Sequence, residues 1–134
     1  MRLHLRTVCV ISLCLWMGLD WVWAADAAVP AADAVQHVRI VGGSYFFKPN
    51  HVVVKVGVPV ELTLSMEAGL IPHTFMIHAP EAGIVVDESL AREPHTVLFT
   101  PQAVGRYVFY CKNRLLFFKS HQEEGMEGIL DVVE

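Results

Sequence analysis

The chain has 134 residues, of which 54% are hydrophobic and 18% are charged, and its formal net charge is −4 at pH 7. This length predicts a single domain with one modest core. The acidic balance, with no basic stripe along the sequence, argues against nucleic-acid binding.

The first 25 residues have the layout of an export signal. Arg2 and Arg6 give a positive start, an apolar run extends from Val8 to Trp23, and small residues occupy positions 24 and 25. This order of charge, apolar run and small residues predicts a signal peptide over residues 1–25. An uncleaved membrane anchor is the alternative, because the run is about the minimum spanning length of 17 residues.

After the signal, an Ala-rich segment over residues 26–35 is predicted to be a tether, followed by one domain over residues 36–134. If the signal is cleaved, the mature protein has no stable membrane span. If it is retained, the domain is anchored to the membrane.

From Gln36 onward the apolar residues follow the two-residue period of β-strands. One strand is predicted in "VPVELTL", whose apolar face would comprise Val58, Val60, Leu62 and Leu64. Further strands are predicted in "HVVVKV", "HTFMIH", "HTVLFT", "GRYVFYC" and "GILDVV", which Gly and Pro residues separate. The segment "PEAGIVVDESLAR" is ambiguous, because Asp87–Arg92 is compatible with one helical turn. The whole pattern indicates an all-β sandwich or barrel.

The cysteines are informative because two of the three lie in the predicted signal. Removal of Cys9 and Cys14 leaves Cys111 alone in an exported protein, where thiols are normally oxidised. Such a cysteine is buried and inert, paired with another chain, or occupied by a metal, whose ligand is the thiolate.

Cys111 is followed by His121 and Met126 in "CKNRLLFFKSHQEEGM". One thiolate, two imidazoles and a weak axial thioether form the ligand set that suits copper in both of its common oxidation states. The second imidazole must come from an earlier strand, and "GLIPHTFMIHAP" offers His73 and His78. The two lie about 16 Å apart in an extended strand, so only one of them fits the site.

Three stretches resemble the cupredoxins, the small blue copper proteins, and plastocyanin-like members most of all. "GRYVFYC" is similar to the strand that leads into the family's cysteine ligand, and "HQEEGMEGILDV" to its closing segment. "GLIPHTFMI" resembles the Pro-His segment that brings the first histidine. The resemblance implies a Greek-key β-sandwich or barrel holding one copper ion per chain, with the metal ligands His73, Cys111, His121 and Met126.

The chain departs from the family in the spacing between two of these ligands. Nine residues, "KNRLLFFKS", separate Cys111 from His121, where the family usually has two to four. The longer loop costs about 1 kcal/mol of closure entropy, whereas a structural metal site contributes about 10 kcal/mol. The insertion is therefore compatible with a site. Its apolar residues, Leu115, Leu116, Phe117 and Phe118, either pack onto the domain or form an exposed docking patch.

The resemblance implies a periplasmic protein that transfers electrons by cycling copper between Cu(I) and Cu(II). The alternative is a copper carrier or storage protein that delivers the metal to an oxidase or an export system. Either function implies a redox or copper-transfer protein as partner. An enzyme is not expected, because the sequence offers one copper site and a lone cysteine, which excludes a two-thiolate binuclear centre.

Overall fold

The structure is a computed structural model, and it describes residues 35–134. The predicted signal peptide (1–25) lies outside the described residues, as does the predicted tether (26–35) except for its last residue. Within residues 35–134, no helix has the length and apolar character needed to cross a membrane.

Four strands form the first sheet, in the order β2-β1-β4-β7. Their bounds are β1 Gln36–Gly43, β2 Phe46–Lys48, β4 Val60–Met66 and β7 His95–Phe99. β1 and β4 run parallel, and the other neighbouring pairs are antiparallel.

Five strands form the second sheet, in the order β3-β9-β8-β5-β6. Their bounds are β3 His51–Lys55, β5 Thr74–Ala79, β6 Ile84–Ser89, β8 Gly105–Tyr110 and β9 Glu127–Val133. β3 and β9 are parallel, and the remaining pairs are antiparallel. The two sheets make an all-β sandwich, as the sequence predicts.

The core lies between the sheets and follows the predicted alternation. In β4, Val60, Leu62 and Leu64 are buried, whereas the intervening Glu61 and Thr63 remain partly accessible. Val58, predicted to share that face, precedes the strand and is only half-buried. Burial of each large aliphatic side chain contributes about 1.5–3 kcal/mol, so alternation of this kind fixes which face of the strand turns inward.

Three phenylalanines cross the middle of the core. The Phe47 ring packs edge-on against Phe75 and Phe109, with centroids 5.7 and 5.5 Å away. Since Phe75 lies on β5 and Phe109 on β8, this cluster ties the first sheet to the two strands that lead to the candidate site.

The ambiguous segment does not form a helical turn over Asp87–Arg92. Ile84–Ser89 forms strand β6, which pairs antiparallel with all of β5. Ile84 and Val86 are buried and Val85 and Asp87 exposed, so the segment has the period of a strand. Pairing with β5 makes this segment a strand, because the edge of β5 supplies backbone hydrogen bonds that a short helical turn lacks.

The strand directions bring two connections, β4–β5 and β8–β9, to one end of the sandwich. β8 runs antiparallel to both β5 and β9, with Tyr110 opposite Met76 and Glu127. The C-terminal end of β8 therefore lies beside the N-terminal ends of β5 and β9. Cys111 follows β8, His73 precedes β5, and His121 and Met126 precede β9.

Candidate metal centre

Cys111 is held at the end of β8 by hydrogen bonds on both sides. Its N–H donates to the Met126 carbonyl at 3.0 Å, and its side chain is fully buried. The Thr74 N–H donates to the sulfur, with N and Sγ 3.3 Å apart. A backbone N–H aimed at the sulfur stabilises negative charge on that atom.

The two histidines reach the same point from different loops. The His73 carbonyl accepts from the Leu90 N–H at 2.9 Å, which fixes the loop before β5. The backbone N–H of His121 donates to the Asn113 main-chain carbonyl, and the His121 main-chain carbonyl accepts from the Met126 N–H, each at 2.9 Å. Both imidazoles are buried, with 5% and 3% of their surface accessible.

The donor atoms of these three side chains converge. The two Nδ1 atoms lie 3.1 Å apart, and the His121 Nδ1 lies 3.4 Å from the Cys111 Sγ. All three donors fall within 4.8 Å of one another. No other such group of His, Cys, Asp or Glu side chains occurs in residues 35–134.

Burial favours the form of each imidazole that binds metals. It lowers the pKa of His73, and the neighbouring His121 lowers that pKa further. Burial likewise lowers the pKa of His121. Both rings are therefore neutral at pH 7, and a neutral imidazole has a lone pair to donate.

The spacing of the donors fits a first-row metal ion. Bonds of about 2.0 Å to nitrogen and about 2.3 Å to sulfur, at tetrahedral to trigonal angles, separate the ligand atoms by about 3.3–3.8 Å. The two shorter separations observed, 3.1 and 3.4 Å, require only small adjustments. Two imidazoles and one thiolate match copper best among the common metals, so the cluster is consistent with one copper site.

Met126 is joined to this cluster through its main chain. Its N–H and carbonyl bond to His121 and Cys111 respectively, and its side chain is fully buried. A Cβ added at Gly42 would lie 3.3 Å from the Met126 methyl group, so the absence of a side chain there leaves room for the thioether.

Of the two candidate upstream histidines, His73 lies in the cluster. His78 is exposed on β5, opposite Val85 of β6. His78 lies five positions after His73, with four strand residues between them, as the spacing in the sequence implies.

Thr74 and Asn113 support the cluster, and sequence reasoning did not select either residue. The Thr74 hydroxyl donates to the Asn113 side-chain oxygen at 3.1 Å, and the Asn113 amide donates to the Pro72 carbonyl at 2.8 Å. These bonds join the loop after Cys111 to the loop carrying His73. The only sequence signal was their position beside the ligands: Thr74 follows His73, and Asn113 lies two residues after Cys111.

Tyr45 is a third site residue that the sequence analysis did not identify. It lies in the β1–β2 turn, more than 25 positions from the nearest predicted ligand. Its ring packs edge-on against His121 and His73, with centroids 5.1 and 6.5 Å away. Its position in the sequence offers no hint of this, because the contact depends on how the first sheet covers the second.

The inserted segment between Cys111 and His121 forms a small projecting loop. Arg114 and Ser120 pair as an isolated antiparallel bridge, and the Phe118 N–H donates to the Leu115 carbonyl at 3.0 Å. The four apolar residues are exposed rather than packed on the domain, with Leu115 at 55%, Leu116 at 75%, Phe117 at 86% and Phe118 at 56%. We call these four residues the apolar tip.

Two of the three cations flanking the apolar tip are paired within the chain. Lys112 contacts Asp87, and Arg114 contacts Glu123 at 2.9 Å. Ser120 donates two hydrogen bonds to Glu123, and together with Arg114 and Lys119 they lower the pKa of its carboxyl. The base of the loop is therefore close to electrically neutral.

No protein-family model matches the chain, and no curated protein matches it. Several solved structures, however, are similar to the chain. Auracyanin A, a "blue" copper protein of Chloroflexus aurantiacus, aligns with a TM-score of 0.52 at 18% identity over 74% of this chain and 99% of its own.

Two other similar structures come from larger assemblies. One is the metal-binding domain of the Cu(I)-exporting P-type ATPase CopA of Streptococcus pneumoniae, with a TM-score of 0.55 at 25% identity over 76% of this chain and 89% of its own. The other is the periplasmic domain of cytochrome oxidase subunit II of Bradyrhizobium japonicum, with a TM-score of 0.56 at 14% identity over 74% and 84%. These likenesses confirm the cupredoxin-type β-sandwich that the sequence resemblance implies.

Proposed function

We propose that this chain is a periplasmic mononuclear copper protein whose function is electron transfer rather than enzymatic catalysis. The observation that carries the proposal is the convergence of His73, Cys111 and His121 within 4.8 Å at the loop end of a cupredoxin sandwich. Copper bound there would supply a one-electron Cu(I)/Cu(II) couple. The residues that would hold the ion are His73, Cys111 and His121, with the thioether of Met126 as a weaker fourth ligand.

In such a function the protein would hold the ligand atoms in fixed positions and exclude water from them. The hydrogen bonds around Thr74 and Asn113 lock the Cys111 and His73 loops together, so the donor positions need not change with oxidation state. The Thr74 N–H stabilises negative charge on the sulfur, and burial of the three side chains excludes water. Both effects tune a reduction potential.

The similar structures support copper and leave two functions to compare. Auracyanin A is a blue copper protein, which favours electron transfer, and the oxidase subunit domain suggests a respiratory setting. The CopA domain binds Cu(I) within an exporter and has the highest identity of the three named structures, which favours a copper carrier as the second candidate. A predicted signal peptide supports export to the periplasm.

Redox cycling and copper loss separate the two candidates. An electron-transfer protein is expected to undergo repeated one-electron reduction and reoxidation with its copper content unchanged, because the donors are buried and fixed. Electrochemistry on the copper-loaded protein, followed by incubation with excess Cu(I) chelator, measures both properties. Retention of copper over many cycles supports electron transfer. Complete loss within seconds in the reduced state would instead indicate a carrier.

We further propose that the apolar tip docks a redox or copper-transfer protein. Its four large side chains are exposed, and two of them, Leu115 and Phe118, line a cleft together with His121, one of the proposed ligands. Because Lys112 and Arg114 are already paired within the chain, the apolar tip would be recognised mainly by an apolar surface of the partner. An apolar centre with a polar rim is the usual organisation of such interfaces.

Replacing both Phe117 and Phe118 with serine is expected to slow exchange with the native partner at least tenfold, because two exposed anchors are lost. The copper spectrum should change little, since neither side chain belongs to the donor set. Stopped-flow kinetics against the partner measures the effect. Leu98→Ser, which alters an exposed leucine on β7, is the matched control and should leave the rate unchanged. Loss of copper or of folding in the double variant would make the loop a structural lid.

A further inference from the structure

Tyr45 adopts a backbone conformation that its residue type disfavours. It is the second residue of the two-residue turn between β1 and β2, where Gly43 pairs with Phe46, and its φ is +63°. A turn of this kind prefers glycine or asparagine where φ is positive. A bulky aromatic residue there is an outlier, which suggests that its side chain has a use that offsets the strain.

The Tyr45 side chain lies against both proposed histidine ligands. The ring meets the His121 imidazole at 87° and the His73 imidazole at 83°, with centroid distances of 5.1 and 6.5 Å. Edge-to-face packing of this type fixes the planes of the rings involved. The Nδ1 atoms of both imidazoles face the cluster, so the Tyr45 ring supports them in the orientation that ligation requires.

The same ring forms one wall of an open cleft above His121. The cleft is about 530 Å³ in volume and is lined by Tyr45, Leu115, Phe118, Lys119, His121 and Glu124. The Tyr45 side chain is 37% accessible, so one part of it meets solvent while the rest covers the imidazoles. Removal of the ring would extend this cleft toward the donor atoms.

We propose that Tyr45 is a positioning and shielding residue: its ring holds the His73 and His121 imidazoles in place and separates the donor atoms from small ligands that enter the cleft. The Cys111 Sγ lies 3.4 Å from the His121 Nδ1, so a ring that holds this imidazole in place also restricts access to the thiol. That effect depends on the fold alone, whereas any effect on bound copper rests on the proposed function. The hydroxyl forms no hydrogen bond among the described residues, so the ring is the part that matters.

The test compares Tyr45→Gly with Tyr45→Phe and with Leu116→Gly. Leu116 is the other non-glycine residue with positive φ among the described residues, at +49°, and it lies in the apolar tip. Leu116→Gly therefore relieves comparable backbone strain without removing a ring from the histidines. The primary readout is the rate of Cys111 alkylation by iodoacetamide in metal-free protein, followed by mass spectrometry of the Cys111 peptide.

Tyr45→Gly is expected to raise the alkylation rate at least tenfold while its unfolding midpoint in denaturant stays equal to or above that of the wild type. Tyr45→Phe and Leu116→Gly should alkylate within twofold of the wild type. In copper-loaded protein, Tyr45→Gly should also lose metal to a chelator at least tenfold faster and change its visible spectrum when azide is added.

An unchanged alkylation rate in Tyr45→Gly would overturn the proposal, as would equal acceleration in Tyr45→Phe. Tyr45→Asn, which also tolerates positive φ, is the second variant if the glycine variant folds poorly. Should both lower the unfolding midpoint in step with faster alkylation, the ring is a packing residue only. Faster alkylation without any copper binding would uphold the shielding role and contradict the proposed function.

Discussion

Cys111→Ser is expected to abolish the sulfur-to-copper charge-transfer absorption and to weaken copper binding at least a hundredfold. The reason is that the thiolate is the strongest and softest donor of the set, and a serine hydroxyl is neither ionised nor soft at neutral pH. Two imidazoles and a thioether would remain, and these bind without the intense colour. Visible spectroscopy and a competitive copper titration measure the two losses.

Metal-free Cys111→Ser provides the control for folding. Serine is close to cysteine in size, and the hydrogen bond from the Thr74 N–H to the sulfur has an acceptor in the serine oxygen as well. The free energy of unfolding of the metal-free protein should therefore fall by no more than about 1–2 kcal/mol. A coloured Cys111→Ser protein with its full copper content would contradict the assignment of this residue as a ligand.

His73→Ala is expected to cause the second-largest loss of copper affinity after Cys111→Ser, whereas His78→Ala should leave the site intact. Alanine at position 73 takes away one of two imidazole donors and opens the buried cluster, so copper affinity should fall at least tenfold and the visible spectrum should shift. His78 is exposed on β5, and its replacement should change neither quantity.

The two variants, His73→Ala and His78→Ala, are each titrated with copper, and the visible spectrum of each is recorded. Because both changes are His→Ala within the same short segment, differences between them cannot arise from the loss of a surface imidazole alone. If His78→Ala destroys the site and His73→Ala retains the wild-type spectrum, the upstream ligand has been assigned to the wrong histidine.

Strands β3, β4, β5, β7, β8 and β9 could be predicted because alternation and β-branched runs are local patterns, whereas β1 and β2 were not predicted. Cys111, His121 and Met126 were selected by their spacing, but the choice of His73 over His78 came from the family resemblance. Alternation in "VPVELTL" reports burial directly, and the Cys-to-Met segment combines three donor types in a short stretch. Strand β6 was missed because Asp87, Glu88 and Ser89 have weak strand propensity, and only pairing with β5 overrides it.

Other features depended on contacts between distant segments. The pairing of Lys112 with Asp87 joins residues 25 positions apart, so the sequence does not indicate that this cation beside the apolar tip is neutralised. Tyr45 reaches the histidines only because the β1–β2 turn of the first sheet covers the loop end of the second. Exposure of the apolar tip was also open, since four consecutive apolar residues pack inward or project equally well by sequence alone.

The central claim is most directly tested by the visible and electron spin resonance spectra of the copper-loaded wild-type protein, with copper counted per chain. One Cu(II) per chain is expected, with an intense sulfur-to-copper charge-transfer band that disappears on reduction and returns on reoxidation with the metal retained. A protein that binds no copper, or binds it without any charge-transfer band, would contradict a copper site built on Cys111.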